Sequence, residues 1–364
     1  MRIRKTLCAG LAMVMMILSV SCASAEKVGN RQELAEAILA CAENGESGFS
    51  FSCSQGVYDD WADDDFRSGL LCFAGIVGYE GNRIKKGGSR QIDTTRLDYL
   101  AGTKIWAYYR TGRSEQLSER EWDTLGVALD IASGAEGSAL EKERYIHDEL
   151  CRRIRYGSDG TENNDDDCAV GALLNGVANC DGYSDAFFLT GRLAGLEVRY
   201  ISGEGLSGPE YGPHMWNLIR IRRQWVMVDL TWDDNGSAEQ GEGEDCTWLW
   251  YNRGTETMAL DHRWPEWTTE WVTLCTRDWP ELLPEDFAYG VFDTKEEARV
   301  YVNEQAASLP REIVVRLPAE TVRDMTEKDQ QGLQEWLLST RLVMPVYCSF
   351  NRENGLIFIH APQY

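Results

Sequence analysis

The sequence predicts an α+β protein: a central region of helices followed by paired strands, with a small α/β domain on either side. Three observations carry this. The middle of the chain passes through two amphipathic helical patterns and a third that opens at Cys180 before it reaches two strand patterns, at 214–221 and 225–230. Helices gathered ahead of strands, rather than alternating with them, is the α+β order. Outside the middle, NRQELAEAILACAENGESGFSFSC and DTKEEARVYVNEQAASLPREIVVRL each read as a polar cap, an amphipathic helix and a strand. A chain of 364 residues has room for such a division. We place the units at 26–112, 113–275 and 285–364.

In the first unit, Leu34, Ile38 and Leu39 recur at helical spacing over 31–41, and Phe49 to Cys53 suits a strand. Residues 59–65 are an acidic, aromatic-containing loop or helix start, and 70–79 fit helix or strand. The basic, glycine-containing stretch 83–91 predicts a turn between strands, and the alternation over Thr103 to Tyr109 predicts a strand. Centrally, Ser118 to Ile131 and Ala139 to Tyr156 are amphipathic helices, and 158–167 is an acidic loop. In the last unit, Asp293 to Glu296 caps a helix running through Glu304. Strands follow at 312–317, 343–350 and 356–360, with a helix at 331–338. The first and last units have a similar rhythm, which fits either a diverged pair or two unrelated α/β segments.

Charge and hydropathy exclude some functions. The formal charge is −23, from 59 acidic and 36 basic side chains, and no basic stripe is present. Such a surface repels phosphate backbones, so nucleic acid is not an expected partner. Arg2, Arg4 and Lys5 precede an apolar run from Leu11 to Val20 and then Ala23-Ser24-Ala25, the pattern of a signal peptide over 1–25 cleaved after Ala25. The run is short for a membrane span. A lipid on Cys22 is the alternative attachment, so the expected location is secreted or extracytoplasmic, with cell-envelope association open.

Of eleven cysteines, nine follow residue 25. An odd count in an exported chain leaves one thiol over when the rest pair, which suits one reactive Cys180 with up to four disulfides. No CxxC pair points to a zinc ribbon.

Cys180 opens a helix whose apolar stripe is Tyr183, Ala186, Phe187, Thr190 and Ala194, with Gly195 available to end it. A helix N-terminus favours a thiolate, and its free amides suit a developing oxyanion. The bland reading is a buried or disulfide-bonded cysteine. His214 opens the next strand pattern. A two-residue turn at Arg222-Arg223 sets Ile221 opposite Gln224 and Trp216 opposite Asp229. His214 then shares a face with Asp229 as its diagonal neighbour. Cys180, His214 and Asp229 are therefore a candidate nucleophile, base and orienting acid.

This segment resembles the transglutaminase-like superfamily, especially its bacterial secreted branch. The pattern A-x-G-A-L-x-N-G-x-A-x-C-D-G-Y is met by Ala169, Gly171, Ala172, Leu173, Asn175, Gly176, Ala178, Cys180, Asp181, Gly182 and Tyr183. The pattern H-x-W-N, then W-x-x-V-D-x-T-W-D-D, is met by His214, Trp216, Asn217, Trp225, Val228, Asp229, Thr231, Trp232, Asp233 and Asp234. The resemblance covers about residues 139–265. It implies a papain-like core of N-terminal helices packed on an antiparallel sheet, with Cys180 as nucleophile, His214 as base and Asp229 as orienter. Tyr156 falls where the family places an aromatic near the oxyanion, and Trp216 is a supporting residue beside it. The hairpin turn, usually Asp-Gly, departs from the pattern, and 206–213 reads as a Gly/Pro-rich insertion that shapes or covers the cleft.

The resemblance thus implies acyl transfer or hydrolysis at protein or peptide amides through a Cys180 thioester, with no cofactor. A cysteine peptidase or amidase is the alternative, and a non-catalytic cell-surface binding protein is the alternative of another class. Calcium dependence is not carried over, since no ligand loop is identifiable. His262 is expected to be structural. The aromatics Trp248, Trp250, Tyr251, Trp264 and Trp267 suit core packing or, alternatively, a substrate groove.

Overall fold

The computed structural model describes residues 26–158, 165–207, 210–234, 246–306, 312–323, 325–338, 347–352 and 354–360. The signal-peptide and lipid-attachment readings at 1–25 lie outside them, as does most of the acidic loop at 158–167.

The first sheet contains β1 (Glu26–Val28), β2 (Ser50–Cys53), β3 (Ile76–Lys86) and β4 (Ser89–Tyr99) in the order β1-β2-β4-β3, with β1 parallel to β2. Helix α1 (Arg31–Asn44) joins the parallel pair; α2 (Gln55–Asp60) and α3 (Asp64–Phe73) precede the β3–β4 hairpin. The Asn30 side chain accepts from the Glu33 amide to start α1, and Gly45, at φ 62°, ends it in the left-handed conformation.

Residues 103–109 correct the sequence reading. They lie in helix α4 (Ala101–Thr111), not in a strand. The alternation was local. Ile105 and Ala107 are buried, and the helix is fixed where the Gly102 amide donates to Asp185 Oδ2 at 2.8 Å. Tertiary packing here overrides the β preference of an aromatic-rich run.

Two central helices begin with capping boxes, and the second stops at Arg153, short of the Tyr156 the sequence pattern suggested, because residues 155–156 pair as a strand. The boxes are Ser118 with Glu121 for α5 (Glu119–Gly134) and Ser138 with Glu141 for α6 (Ala139–Arg153). The chain then forms β5 (Arg155–Tyr156), which pairs in parallel with β6 (Val177–Ala178), and enters α7 (Cys180–Leu193). The central sheet is antiparallel in the order β10-β7-β8-β9, from β7 (Val198–Ser207), β8 (Glu210–Ile221), β9 (Gln224–Val228) and β10 (His262–Arg263). Short helices α8 (Leu230–Asp233) and α9 (Thr255–Met258) lie between β9 and β10. Helices α4, α5 and α6 surround α7, which packs on this sheet. This is the α+β, helices-on-antiparallel-sheet core of the papain-like type.

The β8–β9 register is the anticipated one, with Ile221 opposite Gln224 and Asn217 opposite Val228. Both turn residues, Arg222 (φ 47°) and Arg223 (φ 71°), are left-handed, as a two-residue hairpin turn of the primed type requires. Residues 206–213 are not a separate insertion. Where described, they extend the β7–β8 hairpin, with Leu206 opposite Tyr211 and Glu204 opposite Pro213.

The last sheet contains β11 (Phe287–Val291), β12 (Glu312–Arg316), β13 (Tyr347–Asn351) and β14 (Leu356–His360), with α10 (Lys295–Gln305) joining β11 to β12 and α11 (Ala319–Val322) and α12 (Glu327–Leu338) ahead of the β13–β14 hairpin. Its order, β11-β12-β14-β13, with a parallel first pair, repeats that of the first sheet. One hydrophobic cluster runs from Leu34 and Phe51 through Phe187 and Trp216 to Trp248 and Phe358, so both outer sheets pack on the centre. Trp248, Trp250 and Tyr251 are buried within it, which overturns the groove reading for these three. Trp267 is half-buried and tilts against Phe66 at 5.4 Å between ring centroids.

Candidate active site

Cys180 is the first residue of α7. The Asn179 side chain caps the helix by accepting from the amides of Asp181 (2.9 Å) and Gly182 (3.2 Å). That narrows the oxyanion expectation, because those two amides are already partnered. Of the first turn, the Cys180 amide is the one the cap leaves over. Gly182 is required for approach: a Cβ there would stand 2.5 Å from the carbonyl oxygen of Asp166. Asp185, one turn on, anchors α7 by accepting from the amides of Gly102 and Ala169 and from the Tyr200 hydroxyl.

His214 lies on β8 facing α7, nearly buried. Its Nε2–H donates to Asp229 Oδ2 at 2.7 Å, which leaves Nδ1 for the neighbouring Cys180, whose thiol also lies 3.7 Å from Asp181 Oδ1. Asp229 is fully buried just beyond β9. Its Oδ1 accepts from the amides of Thr231 and Trp232, so the carboxylate also caps α8. The three candidates therefore meet in the order sulfur, imidazole, carboxylate. Trp216 is fully buried, with its ring 5.8 Å from that of His214. It forms a wall behind the imidazole, with its buried Nε1–H unpartnered. Tyr156 is half-exposed, and the β5–β6 pairing sets it opposite Ala178, two residues before the nucleophile.

Sequence reasoning missed the second half of the network. His262, on β10, donates from Nε2 to the same Asp229 Oδ2 at 3.0 Å and from Nδ1 to Asp261 Oδ1 at 2.7 Å. Asp261 is in turn paired with Arg316, at the end of β12 in the last sheet. With both nitrogens bonded to carboxylates, His262 is an imidazolium. Trp232 covers the pair, its ring 5.1 Å from His214 and 4.4 Å from His262. The motif LDHRW marks His262 in the sequence, but nothing local marks Arg316.

The electrostatics reflect this chain of alternating charge. Burial opposes the His214 imidazolium, yet the Asp229 charge and hydrogen bond, with the bond to Cys180, raise it to about 9 despite the neighbouring His262. Asp181, on α7, faces the same imidazole. Burial likewise opposes His262, and Asp229 and Asp261 raise it to about 9. Burial works against the Asp229 carboxylate as well, but the two imidazoles hold it well below its ordinary range.

Stability should therefore depend on pH. The two histidines contribute stability that is complete below their ordinary 6.5 and lost as pH rises through about 9. Burial raises Glu143 to about 7 and Asp185 and Asp233 to about 6, which removes stability in the same direction. Asp229 contributes above the ordinary carboxylate range and loses that only in acid. The melting temperature is therefore expected to peak at about pH 4–5, where the Asp229 contribution is complete and the loss from the raised acids is only beginning. Thermal melts across pH check this, and a Tm that climbs from pH 6 to 9 would contradict the network.

Among the described residues, two side-chain sets have ligand atoms close enough for a metal, all within 4.8 Å: His214, Asp229 and His262, and His147, Cys151 and Cys246. In the first, the hydrogen bonds just described already account for the spacing.

Comparison with known proteins agrees with this geometry. Residues 126–230 match the model of the transglutaminase-like superfamily core. The chain is 30% identical over 107 residues to kyphoscoliosis peptidase of Mus musculus and 30% identical over 105 residues to that of Homo sapiens. Each match covers 26% of this chain and 16% of the relative, so the chain spans about a sixth of the length of the curated relatives it matches. A solved TGase is similar at 12% identity and a TM-score of 0.28, covering 60% of this chain and 62% of that one. The periplasmic domain of TgpA from Pseudomonas aeruginosa is similar at 15% identity and a TM-score of 0.26, covering 40% and 54%. The matched stretch, residues 126–230, holds Cys180, His214 and Asp229 and is a transglutaminase-like core.

Proposed function

We propose that the protein is a transglutaminase-like cysteine enzyme acting on protein or peptide amides. The observation that carries this is the meeting of Cys180, His214 and Asp229 in that order, with His214 bonded to Asp229 and the sulfur at a helix N-terminus. Cys180 Sγ attacks the carboxamide carbonyl, and His214 delivers a proton to the departing amine while Asp229 holds the ring. The C–N bond breaks and a thioester forms. A second amine or water then attacks the thioester carbonyl, its proton passes through His214, and the thiol is restored. An amine acceptor gives a crosslink; water gives hydrolysis. The Cys180 amide and the Tyr156 hydroxyl are the oxyanion donors in this reading.

Hydrolysis of peptides is the second reading, favoured by the peptidase names of the two mammalian relatives. We place the enzyme outside the cytoplasm on the strength of the 1–25 sequence. No helix among the described residues is long and apolar enough to cross a membrane.

Iodoacetamide labelling with peptide mapping tests the reading. Selective alkylation of Cys180 near pH 6, at least tenfold slower in His214→Ala, is expected. The active thiol is then given a glutamine peptide with a fluorescent primary amine. Amine in the product names a transferase, and acid alone names a hydrolase. Alkylation of Cys180 no faster than that of an unfolded control would leave only the binding-module reading.

A further inference from the structure

Away from the triad, α6 presents His147 and Cys151 on one face, four residues apart, and Cys246 comes up against them. The three ligand atoms, both sulfurs among them, lie within 4.8 Å of one another. Cys151 is buried and Cys246 half-buried. Cys246 forms an isolated bridge with Asp234, whose carboxylate accepts the Tyr183 hydroxyl from the first turn of α7. The cluster thus ties α6, the residues after Asp229 and the helix of Cys180 together.

We propose that Cys151 and Cys246 are a disulfide-forming pair that closes a covalent ring around the whole catalytic set. Cys180, His214 and Asp229 all fall between residues 151 and 246. Two features favour a disulfide over a metal centre. The His147 nitrogens are both committed, Nδ1 to Asp148 Oδ1 at 3.0 Å and Nε2 to Asp233 Oδ2 at 3.2 Å. A metal would have to break one of these bonds. A metal also needs both sulfurs as thiolates, in a buried place already occupied by Asp233 and Asp234. Burial and those carboxylates push the Cys151 thiol up. A disulfide is neutral and carries no such penalty.

The reaction balances through an external disulfide as the oxidant. The more accessible Cys246 attacks its S–S bond as thiolate, releasing one thiol and forming a mixed disulfide. Cys151 then attacks the Cys246 sulfur and releases the second thiol. Two protons and two electrons leave with the released thiols. A ring of this length removes much of the freedom of the unfolded chain, so oxidation is expected to raise the melting temperature.

The test uses the full chain with Cys180→Ser, so that the nucleophile cannot scramble disulfides. The folded protein is incubated with oxidised glutathione and mapped by mass spectrometry without reduction. A Cys151–Cys246 linked peptide is expected. It should come with a Tm higher by about 5 °C or more than that of the reduced protein, a difference abolished in both Cys151→Ser and Cys246→Ser. The mapping stands even if a serine variant folds poorly. Both thiols remaining free, pairing with other cysteines, or stoichiometric zinc that protects them until chelated would each overturn the proposal.

Discussion

Asp229→Asn is expected to lower turnover about ten-thousand-fold, the order seen when the aspartate of a triad becomes its amide, while the chain still folds. The reason is the direction of four hydrogen bonds. Oδ1 accepts from the amides of Thr231 and Trp232, and Oδ2 accepts from the Nε2 atoms of His214 and His262. An asparagine that keeps its oxygen toward the amides turns an NH2 group on both imidazoles. His214 must then carry its proton on Nδ1 and donate toward Cys180 rather than accept from it. The opposite rotamer sets NH2 against two backbone N–H groups. The lost negative charge should also bring down the raised His214 value, moving the alkaline limb of the alkylation rate from about 9 toward neutrality. Steady-state kinetics and the pH profile of iodoacetamide labelling read both effects. Turnover within tenfold of wild type would remove Asp229 from the mechanism. Asp229→Ala, which leaves the Nε2 atoms of both imidazoles without a partner, should be worse folded as well as inactive.

Arg316→Ala should cost about 3–5 kcal/mol of stability, the range for removing one partner of a buried ion pair. Arg316 is 7% exposed and Asp261 is fully buried, so no water replaces the guanidinium. Among the described residues, the Asp261 carboxylate then has His262 as its remaining charged partner, and His262 is shared with Asp229. Arg316→Lys should recover only part of the loss, since an ammonium lacks the planar fork of the guanidinium. Denaturant melts give the stability change, and alkylation of Cys180 in the folded fraction tells whether the triad has moved. A change below about 1 kcal/mol would show that the last sheet does not support the site through this residue.

Cys180, His214 and Asp229 were legible because their constraints are local. A cap and an apolar stripe place Cys180 on the first turn of α7. The two-residue turn at Arg222-Arg223 then fixes which β8 and β9 residues face each other, since strand side chains alternate with a period of two. The helices α5, α6 and α10 could be read for the same reason, the first two from their amphipathic pattern and the last from its polar cap. The alternation at 103–109 misled because its neighbours in sequence do not decide its state. Burial of Ile105 and Ala107 and the Gly102 bond to Asp185, 83 residues away, do. The same distance hid the second half of the site. Sequence alone determined the candidate nucleophile, its candidate base and the strand register between base and acid. Only the tertiary structure decided that Asp229 serves two imidazoles and that Arg316, 87 residues beyond Asp229, completes the charge of the chain. Buried charges find partners wherever folding brings opposite sign within hydrogen-bond reach, and no local period in the sequence records that.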